Sequence, residues 1–300
     1  MNKRVLITGG TGFIGGALCG TLLDRGYGLT ILSRQSADAV RALCGQVEVI
    51  NNLESLRGHA GFDAVINLAG EGIADKRWTA ERQQALINSR VVLTHTLAEV
   101  IKSWKQKPDV IVSGSAVGFY GDQGELRVTE NTAPNDEFTH QMCRDWEKAA
   151  LELESLGVRV CLSRTGIVAG PEGGFLKRMV LPFKLGLGGR LGAGHQYMPW
   201  IHREDVVAAL IWMLETPQAS GAYNVVSPNP VTNREFTLCL ASTLHRPAIF
   251  PVPASVLKLA LGKMSRLLLT GQRAIPERLI DSGFEFRYPT LAEALEASTK

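Results

Sequence analysis

Gly9, Gly12 and Gly15 carry the clearest chemistry in this 300-residue chain. Spaced G-x-x-G-x-x-G, they follow the apolar run Val5–Ile7 and precede the helix-like pattern of Ala17, Leu18, Leu22 and Leu23. Strand, tight turn and helix N-terminus in that order make a seat for a dinucleotide pyrophosphate. Gly9 lets the chain turn, Gly12 lets the backbone approach the diphosphate, and Gly15 lets the helix pack close to the strand. Free N–H groups at the start of the helix, and its positive dipole end, favour the anion. Thr11, Phe13 and Ile14, in the same turn, are counted with the glycines as cofactor-binding residues.

Ser33-Arg34 ends the second apolar run, where a dinucleotide site reads the adenosine ribose. An acidic residue there would accept bonds from a 2′-hydroxyl, whereas an arginine pairs with a 2′-phosphate. No carboxylate follows until Asp38, so the expected cofactor is NADP, with Ser33 and Arg34 on its phosphate. No His, Cys, Asp or Glu cluster has metal-ligand spacing, and neither a Walker loop nor a nucleophile elbow is present, so no metal is expected.

The elements around these residues read as repeated β-α units. Strands are expected at Arg4–Thr8, Leu29–Ser33, Val47–Ile50, Asp63–Ala69, Asp109–Gly114 and Val158–Thr165, with long helices at 80–105 and 137–156. Such alternation predicts an α/β fold: a Rossmann-like, doubly wound parallel sheet whose ligands bind at the carboxyl ends of its strands. Residues 1–169 are assigned to the dinucleotide domain, with the sheet completed from within 200–245. Residues 170–300 are assigned to a smaller α/β substrate lobe with a helical segment near 250–300. The apolar face of 257–268 is expected to pack on that second lobe rather than lie on a membrane surface.

With Asn67-Leu68-Ala69-Gly70, Ser113-Gly114-Ser115 and Tyr120-Gly121 added, the chain resembles the extended short-chain dehydrogenase/reductase superfamily over essentially its whole length. The segments 187–202, 268–273 and 283–290 are similar to an atypical branch, the epimerase family proteins with a short C-terminal domain of unknown function. The resemblance implies that Leu68, Ala69, Gly70, Glu71 and Ser113 also contact the cofactor, and that a homodimer forms through the two long helices. In active members of the superfamily a tyrosine four residues ahead of a lysine exchanges the proton, while a serine or threonine orients the substrate oxygen. Ser115 matches the serine.

The other two are absent. Four residues after Tyr27, Tyr120, Tyr197, Tyr223 and Tyr288 stand Ile31, Gly124, Ile201, Ser227 and Ala292. The family positions fall near Thr139 and Cys143, neither of which is a replacement. Ser115 is therefore the leading catalytic candidate, with Tyr120 and His140 as substitutes for the missing proton donor. Glu71 and Asp145 are the carboxylate alternatives. Asn88, the counterpart of a supporting asparagine, reads as structural once the lysine is gone. The loop 187–200, with Arg190, His195, Gln196, Tyr197 and Trp200, suits an anionic or ring-bearing substrate, and Glu172 and Arg178 could reach the same cleft.

Two functions fit these residues. One is an NADP-dependent oxidoreductase or epimerase on an unidentified small carbonyl or sugar-like substrate; an activated double bond or quinone-like acceptor suits the missing acid better than a sugar. The other is a catalytically degenerate NADPH-binding sensor or scaffold. A net charge of +3 gives no support to a nucleic-acid or membrane partner. Five scattered cysteines, no signal peptide and no long apolar run place the protein in the cytoplasm on this reading.

Overall fold

Seven apolar strands form one parallel sheet in the computed structural model, which describes residues 3–171 and 173–299. They are β1 (Arg4–Thr8), β2 (Gly28–Leu32), β3 (Glu48–Ile50), β4 (Ala64–Asn67), β5 (Val110–Ala116), β6 (Arg159–Thr165) and β7 (Gly221–Val225). Their order is 3-2-1-4-5-6-7, so the winding direction reverses between β1 and β4. Register places Thr8 beside Asn67 and Asn67 beside Ser113 at the carboxyl edge. A ligand crevice opens at such a reversal.

Helices cover both faces, which is why the strands read as unbroken apolar runs. On one face α1 (Phe13–Asp24), α2 (Ala37–Cys44) and the later helix 203–215 pack in a core with Val5, Ile7, Ile31, Ile66 and Val112. On the other, α4 (Leu93–Lys102) and α5 (Phe138–Leu151) cover Leu6, Val65, Ile111, Val160 and Leu162, while Leu86 of α3 (Ala80–Ile87) packs in a separate cluster with Trp78 and Met142. The helix expected over 80–105 is not uniform: a π-helical segment, Asn88–Val92, separates α3 from α4, and helix ends at Lys102. Lys102 bonds Glu99 and Glu152, and Lys107 donates to the Trp104 carbonyl, so these cations tie helix ends together.

Beyond β6, a smaller core joins α6 (Gly174–Lys184), α8 (Asn233–Thr243) and the helix 291–299, while α7 (Arg203–Glu215) belongs to the sheet. The segment 257–268 departs from expectation twice. Gly262, at φ +58°, breaks it into shorter helices. Its apolar side chains Leu261, Met264 and Leu267 then pack with Trp78, Leu86, Phe138 and Met142 of the first half, not on the second lobe. The sequence shows the apolar face but not its destination. No helix among the described residues is long and apolar enough to cross a membrane.

Candidate active site

The glycine turn has the local geometry that its spacing implies. Gly9 sits at φ +71°, and a Cβ there would lie 2.5 Å from the Leu68 carbonyl oxygen at the end of β4. A Cβ on Gly15 would lie 2.2 Å from the Gly9 carbonyl oxygen, so α1 can approach β1 only with glycine. Gly12 differs. It begins α1 in extended backbone (φ −80°, ψ 175°), and a Cβ there would meet only the Gly9 carbonyl, at 3.2 Å. No side chain caps α1. The space beside Gly12 and the uncapped helix end fit the diphosphate of a dinucleotide.

Buried hydrogen bonds position the adjoining strand ends. Asn67 accepts from Thr8 Oγ1 (2.6 Å) and donates to Thr94 Oγ1 (2.7 Å), which also receives the Trp146 indole N–H (3.0 Å). The Ala69 N–H donates to Thr8 Oγ1 at 3.1 Å, and Ser113 joins from β5 through Asn67 Nδ2 at 3.4 Å. Leu68, Ala69, Gly70 and Ser113 thus line the same sheet edge as the glycine turn. Ser33 directly follows β2: its carbonyl accepts from Asn51 and its hydroxyl from the Gln35 N–H. Arg34 is exposed and has no ion-pair partner among the described residues.

Glu71 bonds Arg82, which holds its carboxyl below the usual range; Arg34 and Lys76 add to the effect. It is an anion tied to a cation, unsuited to donate a proton. Arg90 lies beside it. Its guanidinium donates to the Glu71 carbonyl (2.7 Å), lies 5.4 Å from the Trp146 ring centre, and fills the space opposite Gly70. The π-segment directs Ser89 toward the same loop, where its hydroxyl accepts the Glu71 N–H. Asn88 is exposed and bonds Gln84, outside this cluster.

Ser115, near the end of β5, donates its hydroxyl proton to Glu147 of α5 at 2.6 Å. Glu147 is gripped by Arg164 of β6 through two bonds of 2.8 Å, and all three side chains are buried. Arg164 also stacks 3.5 Å from the Phe119 ring centre and donates to Tyr120 Oη at 3.0 Å. Local sequence gives little signal for Glu147 or Arg164: β6 carries two arginines, Arg159 and Arg164, and only their partners tell them apart. Forked pairing of this kind both orients and neutralises the charges.

Tyr120 requires a correction. It is fully buried, its hydroxyl donates to Asn224 at 2.7 Å, and burial pushes its pKa up to about 12. A phenol so enclosed is a packing and hydrogen-bonding residue, not a proton donor to substrate. Cys143 is likewise buried, its thiol pushed up to about 12, so the lysine position carries no charge of its own. His140 bonds the Phe119 carbonyl at 2.7 Å, and since a carbonyl only accepts, Nδ1 is the donor. Asp145 pairs with Arg144 on the exposed side of α5.

The loop 187–200 is divided. Trp200 belongs to the core, and Gln196 bonds the Leu191 and Leu268 carbonyls. His202 caps α7 through Nδ1, and burial lowers its pKa to about 4, so it braces this turn as a neutral ring. Arg178 reaches back to the Ala74 carbonyl and Asp75. Glu172 lies outside the described residues. Exposed His95 and Glu99 come together with the half-buried Glu152, and the Lys102 ammonium is bonded to both carboxylates.

Comparison with known proteins gives two family matches. Residues 5–226 match the NAD dependent epimerase/dehydratase family, and residues 252–298 match a domain of unknown function, DUF1731. The chain is 38% identical to an "Epimerase family protein", YfhF, of Bacillus subtilis (strain 168), over 97% of this chain and 96% of that protein. A Mycobacterium bovis "Epimerase family protein", Mb2239, is 39% identical over 99% and 98%. Human epimerase family protein SDR39U1 (isoform 2), crystallised with NADPH, superposes with a TM-score of 0.90 at 35% identity, covering 98% of both chains.

Proposed function

Because the chain belongs to the NAD dependent epimerase/dehydratase family, we propose that it is an NADP(H)-dependent enzyme acting on a small carbonyl or sugar-like substrate without the usual tyrosine–lysine pair. Ser115 is its substrate-facing hydroxyl. The observation that carries the reading is the buried Ser115–Glu147–Arg164 arrangement at the carboxyl edge of the sheet. Burying an ion pair is costly and gives little net stability compared with apolar packing, so holding one serine this firmly points to a site. NADPH in the human relative supports the choice of cofactor, as does Arg34 at the end of β2.

Bound NADP(H) supplies or accepts the hydride. The chain does the rest. The glycine turn and α1 receive the diphosphate, and Arg34 and Ser33 receive the 2′-phosphate. Ser115 rests with its O–H on Glu147; turned toward the crevice, the same O–H donates to a substrate carbonyl oxygen, and its oxygen accepts from a substrate hydroxyl or from water. The proton itself travels through water or through His140, whose Nδ1 is held by a carbonyl. Without the tyrosine, a carbonyl conjugated to a double bond, or a quinone-like acceptor, needs the least help from an acid.

The test is to titrate the protein with NADPH and then supply conjugated carbonyl compounds, quinones and nucleotide sugars while following oxidation of the cofactor. Ser115→Ala is expected to lower turnover about 10²-fold, the scale of losing one aimed polar contact, and to leave NADPH affinity within twofold. Unchanged turnover would remove Ser115 from the site. Arg34→Glu is expected to weaken NADPH about 10- to 100-fold through a lost charge-assisted pair and added repulsion, with little effect on NADH. Equal losses for both cofactors would show that Arg34 does not read the 2′-phosphate.

A second reading, an NADPH-binding sensor, is favoured by Thr139 and the uncharged Cys143 at the acid/base positions of α5. It expects the same binding with no turnover across that panel.

A further inference from the structure

We propose that Arg203 is a cofactor-binding residue whose guanidinium holds the diphosphate together with the glycine turn. This rests on the reading that the chain binds NADP(H). Arg203 opens α7, which packs against α1 on one face of the sheet. Its guanidinium carbon lies 4.9 Å from the centre of the Phe13 ring, and Phe13 is the first residue of α1, directly after Gly12. A residue distant in sequence is thereby brought to the phosphate turn.

A glycine-rich loop makes that approach possible. A Cβ on Gly170 would lie 3.0 Å from both the Phe13 ring and Arg203 Cβ, and one on Gly173 would lie 2.3 Å from the ring. Side chains there would push Phe13 and Arg203 apart. The absence of a side chain at Gly170 and at Gly173 leaves room for the cation on the ring beside the turn.

Charge supplies the second argument. A cation in the first turn of a helix opposes the helix dipole, so Arg203 is in an unfavourable place unless an anion meets it. The carboxylates beside it are engaged elsewhere. Glu204 bonds Arg287, and Asp205 accepts the N–H groups of Arg287 (2.7 Å) and Tyr288 (3.0 Å). His202 is neutral. Among the described residues no carboxylate pairs with Arg203, and its Nε is buried without a hydrogen-bond partner. Unpaired donors at this place match the oxygens of a diphosphate, which guanidinium binds in a forked geometry.

The test separates the two ends of the cofactor. Calorimetric titration would compare NADPH with adenosine 2′-monophosphate, which carries the 2′-phosphate but no diphosphate. Arg203→Met keeps the length and apolar stem of the side chain. It is expected to weaken NADPH about 10- to 100-fold, the scale of charge-assisted bonds, and to leave the monophosphate within twofold. Arg203→Lys should recover part of the loss, and Arg203→Gln serves if the methionine variant fails to fold. Unchanged NADPH affinity in a folded variant overturns the proposal. So do equal losses for both ligands, since the residue would then act through the shape of the pocket. Failure of the unaltered protein to bind NADPH would instead overturn the functional reading on which this rests.

Discussion

Gly12→Val is expected to abolish NADP(H) binding, with a loss of at least about 100-fold, or roughly 2.7 kcal/mol, while the protein stays folded. The backbone at Gly12 is extended and accepts any residue, and its Cβ position meets a single carbonyl oxygen. Folding therefore has little to lose there. Two methyl groups would instead occupy the space that the diphosphate needs and screen the first-turn N–H groups of α1 from it. Gly15→Ala is the control: its Cβ would lie 2.2 Å from the Gly9 carbonyl, so it should damage the fold itself. Circular dichroism and NADPH titration of the two variants check the pair. Full NADPH affinity in Gly12→Val would mean that the diphosphate lies elsewhere.

Glu147→Ala should destabilise the protein by about 3–5 kcal/mol, the usual cost of leaving one buried ionic partner uncompensated. Glu147 is the acceptor for Arg164 Nε, Arg164 Nη2 and the Ser115 hydroxyl, and it is only 5% exposed. Without it a guanidinium remains in the interior with no carboxylate. Glu147→Gln should be milder, because it retains an acceptor for Ser115 while losing the charge. By contrast, removing Glu215 from its exposed bond with Arg25 should cost under about 1 kcal/mol. Denaturant melts of the three variants settle the ranking. A Glu147→Ala protein as stable as the Glu215 variant would show that the buried pair does not form.

What the sequence determined by itself was local. The β-α alternation required a parallel sheet because each apolar run had to be covered on both faces. The glycine spacing required a phosphate turn because most of its constraints are local: Gly9 turns at positive φ and Gly15 packs against Gly9, while the approach of Gly9 to Leu68 came only with the folded sheet. The absence of Tyr-x-x-x-Lys was a matter of reading five positions. Tertiary structure alone decided which polar groups are paired. Tyr120 looked available beside Ser115 until β7 brought Asn224 to its hydroxyl and β6 brought Arg164. Glu147 gained its role only when β5 and β6 placed Ser115 and Arg164 against it. Arg203 met Phe13 only because α7 returned to pack on α1, and the C-terminal apolar helix turned to the first half because Trp78, Leu86 and Met142 offered it a surface. A side chain's type sets what bonds it can make. Whether its charge is stabilised, neutralised or left for a ligand depends on partners that only the folded chain brings within reach.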